Sequence, residues 1–238
     1  MAFLIGGANS ASATGGYTVD NSCQFIDGDS AYMHKTPGGA GNQDVWTFST
    51  WFKRSGLTKE NALFVAGSDG SNATLIWFRN DDVLEFSIHN SGTRNGRVQT
   101  AAKFLDTSAW YHVVVSYNSA DGTATDRMKI YINGARVTAT INLTNPSSGQ
   151  DSLVNHTSKH SVGSDGAIGF ITGAGDFDGY MAETVLLDGT EATPTSFGEY
   201  DEDSPTIWKP IDVSGLTFGT NGFYLDYEDS ANLGNDAN

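Results

Sequence analysis

Short runs of alternating apolar and polar residues, broken by turn dipeptides, occupy most of the chain. Val45–Arg54 reads V-W-T-F-S-T-W-F-K-R. A period of two puts Trp46, Phe48 and Phe52 on one side of a pleat, with Thr50 interrupting, and Ser49, Trp51 and Lys53 on the other. Residues 73–78, 83–88, 111–117, Met128–Ile132 and 178–187 follow the same logic, rich in β-branched and aromatic side chains. Nine Asp-Gly or Asn-Gly pairs, beginning at 27, 69, 95, 121, 133, 165, 178, 188 and 221, supply the positive φ that tight hairpins require. No apolar stripe of helical period is long enough to pack, and Thr193-Pro194 caps at most one helical turn before Gly198. The pattern predicts an all-β fold: a two-sheet antiparallel sandwich of the jelly-roll kind with an extended N-terminal arm.

Three stretches follow from composition. Residues 1–22 form an arm whose first 19 positions carry no charge and whose apolar cluster, Phe3, Leu4 and Ile5, is the expected anchor into a partner. Residues 23–190 form the sandwich. Residues 191–238 are acidic but interleaved with Trp208, Phe218, Phe223, Tyr224 and Tyr227, so this segment packs on the sandwich or leads out of it. The last five residues are turn-like, the mark of a frayed tail or of a longer polypeptide.

Charge narrows the chemistry. Thirteen Lys and Arg against 28 Asp and Glu give −15, which argues against nucleic acid or an anionic membrane as partner. Cys23 is the sole cysteine, so neither a disulfide framework nor a Cys-x-x-Cys metal site is available. No apolar run reaches 18 residues, and Met1-Ala2-Phe3-Leu4-Ile5 lacks the basic start of a signal peptide. The sequons at Asn72, Asn142 and Asn155 are therefore expected to be accidental.

No nucleophile-elbow, zincin, Walker or dinucleotide motif occurs, and no catalytic residue is assigned. His156 and His160 share a face only on a helix, and their surroundings favour a loop. His112, between aromatics at a strand start, reads as a strand residue with a satisfied ring. Asp176 and Asp178 converge if the last strand begins that early, as a candidate calcium site with loop carbonyls or as plain turn caps; no other cofactor is implied. Glu183, the obvious suspect for glycoside cleavage, has the opposite parity from both. Trp51, on the outward parity, is the candidate platform for stacking a sugar.

The segment A-W-Y-H-V-V-V-S-Y from Ala109, followed by M-K-I-Y-I-N-G from Met128, resembles the paired central strands of laminin-G-like, concanavalin-A-like jelly rolls. F-D-G-Y-M-A-E from Phe177 is similar to that family's late strand, and Val45–Arg54 to its early aromatic one. The flanks S-A-Y-M-H-K-T-P from Ser30 and G-T-N-G-F-Y-L-D from Gly219 resemble segments of tailed-bacteriophage virion proteins. The resemblance implies a non-enzymatic, fibre- or spike-type protein on the virion surface, with a lectin-like module for host glycans. It also implies attachment to other virion proteins through the arm and assembly as a homo-oligomer, a trimer by analogy with phage fibres. The alternatives are a polysaccharide-cleaving enzyme on the same sandwich and a secreted bacterial lectin or adhesin.

Overall fold

The computed structural model describes residues 16–166, 168–171 and 175–238. Two antiparallel sheets form a sandwich. The first runs β1 (Cys23–Phe25), β13 (Gly179–Asp188), β3 (Val45–Arg54), β8 (Tyr111–Asn118), β9 (Met128–Ile132) and β10 (Ala135–Arg136), with β16 (Phe223–Leu225) also paired to β13. The second runs β11 (Thr140–Thr144), β7 (Thr93–Lys103), β6 (Val83–Asn90), β5 (Asn72–Phe78), β4 (Asn61–Asp69), β12 (Lys159–Val162) and β2 (Met33–Lys35). A separate two-stranded ribbon pairs β14 (Gly198–Tyr200) with β15 (Trp208–Pro210). Residues 194–196 make a single 3-10 turn with Pro at its start, where Thr193-Pro194 placed one. No helix among the described residues is long and apolar enough to cross a membrane.

The expected pleat of β3 is realised: Trp46, Phe48 and Phe52 enter the core between the sheets. Phe48 stacks on Phe64 of the facing sheet at 4.8 Å, and Trp46 meets Phe86 edge-on at 5.4 Å. The Trp46 indole satisfies its buried N–H by donating to Ser152 Oγ at 2.9 Å. Asn133-Gly134 forms the tight turn between β9 and β10 with both φ values positive, 48° and 81°.

Two elements depart from the expectation. Asn95-Gly96 makes no turn but lies inside β7, where Gly96 faces Met128 so closely that a Cβ would stand 2.7 Å from its sulfur. β4 was not anticipated because its run A-L-F-V-A is apolar on both faces and shows no alternation. The expected anchor Phe3, Leu4 and Ile5 lies outside the described residues.

Residues beyond 190 close the outer face of the first sheet. Phe197, Val213, Phe218 and Tyr224 pack on Val114, Val185 and Leu187, while Trp208 covers Trp51 and Ala182. β16 also sends Phe223 and Leu225 into the central core, joined there by Tyr227. This acidic segment is structurally part of the sandwich.

Candidate functional site

The first sheet carries three of the chemically suggestive side chains, and all three are occupied internally. Trp51 does point outward, yet it is only 8% exposed: its ring stacks on His112 at 4.8 Å beneath Trp208. The expectation of a sugar platform at Trp51 is corrected accordingly, because His112 occupies the ring face and Trp208 helps to bury it. His112 sits between Trp208 Nε1, which donates to Nδ1 at 2.9 Å, and Ser49 Oγ, 2.8 Å from Nε2. Indole is only a donor, so Nδ1 must accept and the ring proton must sit on Nε2, directed at Ser49. That tautomer cannot take a proton from the Ser49 hydroxyl, and the pair is no nucleophile–base dyad.

Burial holds the His112 ring neutral, pushing its pKa down to about 3. Below pH 6.5 the unfolded chain binds a proton here that the folded chain refuses, so stability is lost as pH falls, by about 3 kcal/mol from this group at pH 4.5. Asp165 and Glu183, raised by burial, act in the opposite sense over this window and cancel when two variants are compared. His112→Gln should therefore flatten the slope of unfolding free energy against pH between 6 and 4 by about 1.4 kcal/mol per unit relative to the parent. Urea titrations at several pH values measure it; parallel slopes would mean the ring protonates in the folded state.

Glu183 occupies a bulge in β13, between the pairs Ala182↔Trp51 and Val185↔Ser49, with φ at 50°. Its Oε2 accepts from Tyr224 Oη at 2.6 Å and Tyr17 Oη at 3.0 Å, joining a residue from each end of the described chain. Burial raises its pKa and the two phenols oppose the shift. No second carboxylate joins that hydrogen-bonded group.

β13 begins at Gly179, after both aspartates, so the shared strand face proposed for Asp176 and Asp178 is not formed. Asp176 is buried, accepting from Ser164 Oγ at 2.5 Å, while its backbone oxygen accepts from Asn61 Nδ2 at 2.6 Å. Asp178 is half-buried against Gly56, and its carbonyl caps Ser55 and Gly56 N–H groups at 2.7 and 3.2 Å. Asp176 does line a polar cleft of about 410 Å³ with Asp27, Glu60, Asn61 and Asn80. Among the described residues no three His, Cys, Asp or Glu side chains are grouped to hold a metal. His156 and His160 are likewise apart in role: His160 is a β12 residue whose Nε2 accepts from Asn155 N–H at 2.8 Å.

The second sheet is different. Ile168, Phe170 and Ile171 cover part of its outer face, packing on Ala62, Val65, Leu75 and Trp77 of β4 and β5 and reaching His89 of β6. Asp165 fastens that segment, its carbonyl accepting from Ile168 and Gly169 N–H groups at 2.8 Å and its carboxylate from that of Ile171. Beyond it the register lays out a polar grid. One row is Trp77, Glu85, Gln99 and Asn142; the next is Leu75, Ser87, Arg97 and Thr144; the third is Ala73, His89 and Arg94. Glu85 is fully buried, with Arg97 Nη2 2.8 Å from its Oε2 and Arg94 Nη2 4.0 Å from its Oε1. The Phe170 ring meets His89 at 4.5 Å, and the Arg79 guanidinium lies 4.2 Å over Trp77. Glu85 and Ser87 were legible from the alternation of residues 83–88, with Leu84, Phe86 and Ile88 inside, and the observed strand carries the same parity on to His89. Reading Asn95-Gly96 as a turn hid Arg94, Arg97 and Gln99.

The fold is that of a lectin-type β-sandwich. Residues 27–190 match the laminin-G model of the concanavalin A-like lectin/glucanase superfamily, and the chain belongs to that superfamily. No curated protein sequence matches it. Among solved structures it is similar to the mouse laminin α1 chain, domains LG4-5, with 10% identity and a TM-score of 0.50 over 89% of this chain and 49% of that one. NanB bound to Optactamide gives 14% identity and 0.50 over 69% and 25%; another NanB structure names the protein as a sialidase of Streptococcus pneumoniae. A pentraxin from Limulus polyphemus gives 15% and 0.49 over 73% and 78%. At these identities the likeness is one of fold, and the chain spans about half of the laminin fragment and a quarter of NanB.

Proposed function

We propose that this chain is a non-enzymatic glycan-binding module and that the arginine-bearing half of the second sheet's outer face is its binding surface. The observation that carries the reading is the contrast between the two outer faces. One is sealed by apolar residues beyond 190, whereas on the other Arg94, Arg97 and Asn142 reach the surface over a buried polar layer of Glu85, Ser87, His89 and Gln99, beside the Phe170 ring. Polar side chains fixed by cross-strand partners, bordered by an aromatic, are what a sugar's hydroxyls and apolar ring face require. The occupied state of Glu183 and the donor tautomer of His112 support a binding role over a hydrolytic one. We place the module on a phage virion, as a fibre- or spike-type surface protein held by its N-terminal arm to other virion proteins. The support there is the resemblance of residues 30–37 and 219–226.

The full chain should bind at least one oligosaccharide on a glycan array and release no reducing ends from polysaccharides. An array without binding, or hydrolysis that vanishes in Glu183→Gln, would overturn the reading. Immunogold labelling of purified particles tests the virion setting separately.

A further inference from the structure

We infer that the glycan this face takes is acidic and that Arg94 and Arg97 receive its carboxylate, an inference that rests on reading the face as a glycan site. The unused hydrogen-bonding capacity here is nearly all of the donating kind. Arg94 spends Nε on His89 Nε2 at 3.3 Å, and neither terminal nitrogen has an acceptor within hydrogen-bond distance among the described residues. Arg97 commits Nε to Glu85 at 2.9 Å and Nη2 to Gln99 Oε1 and Glu85 Oε2, each at 2.8 Å, leaving Nη1 without a partner among the described residues. Gln99, 3% exposed, accepts twice through Oε1, the second time from Asn142 Nδ2 at 2.6 Å, and its own amide N–H groups have no partner among the described residues. Next to them, among the described residues, Trp77 Nε1, a pure donor, and Ser87 Oγ, which can donate or accept, are buried without partners, and the orphaned carboxylate oxygen Glu85 Oε1 already faces Arg94. A group that completes this set must bring acceptors.

Charge points the same way. On a chain of formal charge −15, three arginines lie at this face: Arg97 2.8 Å from Glu85, Arg79 3.2 Å from Glu60, and Arg94 4.0 Å from Glu85. Burial, with Arg94 the next contribution, keeps His89 neutral, its pKa pushed down to about 4, so it adds no positive charge near pH 7 and can accept from Arg94. The surplus positive charge is therefore held on planar guanidiniums, which pair with a carboxylate through two parallel N–H···O bonds. A neutral sugar would leave those donors to water.

Calorimetry on the full chain tests this with three probes: an oligoglucuronate, the same oligosaccharide with its carboxyls reduced, and a sulfated neutral oligosaccharide. The oligoglucuronate should bind, the reduced form about tenfold or more weakly. Arg94→Gln should abolish that difference, and added salt should weaken the acidic probe alone. Arg94 is partly exposed and holds no structural ion pair at hydrogen-bond distance, so the variant should fold, as circular dichroism will check. Equal binding of the reduced probe, or an unaffected Arg94→Gln, overturns the acidic assignment while glycan binding stands. Tighter binding of the sulfated probe overturns the carboxylate. Failure of every probe together with an empty glycan array removes the underlying reading as well.

Discussion

A fragment limited to residues 27–190, the stretch matched by the family model, should fail to unfold cooperatively and should aggregate on expression, whereas the full chain folds. Cutting at 190 strips the outer face of the first sheet. Val114, Val185 and Leu187 lose Phe197, Val213, Phe218 and Tyr224, and Trp51 loses Trp208. The same cut removes β16 from its pairing with β13 and takes Phe223, Leu225 and Tyr227 out of the central core. Fully burying one side chain of this size is worth about 1.5–3 kcal/mol, against a total stability of about 5–15 kcal/mol for a typical domain. Several are lost at once, so the remaining sheet exposes an apolar patch of the kind that drives association. Differential scanning calorimetry decides it: a single sharp transition from the fragment would mean that residues beyond 190 decorate the sandwich instead of completing it.

Arg54→Ala should be among the most destabilising single substitutions, costing about 3–5 kcal/mol. Arg54 ends β3 inside the sandwich, 1% exposed, with Nη2 3.0 Å from Asp82 Oδ1 and Nη1 donating to the Phe104 carbonyl at 2.9 Å. Its guanidinium also lies 4.2 Å over the Phe78 ring. Truncation leaves Asp82, itself 4% exposed, charged and buried, with only Thr58 N–H at 2.7 Å on the same oxygen. Breaking a buried pair from one side costs more than removing both charges. Arg54→Met combined with Asp82→Asn should therefore be less damaging than Arg54→Ala alone, despite two changes. Urea unfolding of the three proteins measures this; a loss below about 1 kcal/mol for Arg54→Ala would show that the pair is worth no more than an exposed one.

Parts of this architecture follow from local chemistry. The alternation in Val45–Arg54 determines a strand with Trp46, Phe48 and Phe52 inside, because a pleat sends successive side chains to opposite faces. Asn133-Gly134 determines a hairpin because both residues tolerate positive φ. Asn95-Gly96 has the same local preference, yet two long strands and the close approach of Met128 hold it extended, since a dipeptide's turn propensity is weak beside a continuous ladder.

What buries each outward face was a tertiary decision. Trp51 and Glu85 both have outward parity, and alternation treats them alike. Trp208, separated from Trp51 by 157 positions in the chain, closes over the first, while the second is buried as the ion-pair partner of Arg97, which stays partly exposed. The bulge at Glu183 is equally invisible to parity, because one extra residue re-aims everything after it. Short-range periodicity and composition thus account for the sandwich, for core side chains such as Trp46, Phe48 and Phe52, and for the acidity. Which polar residues a ligand can reach depends instead on where distant segments come to rest.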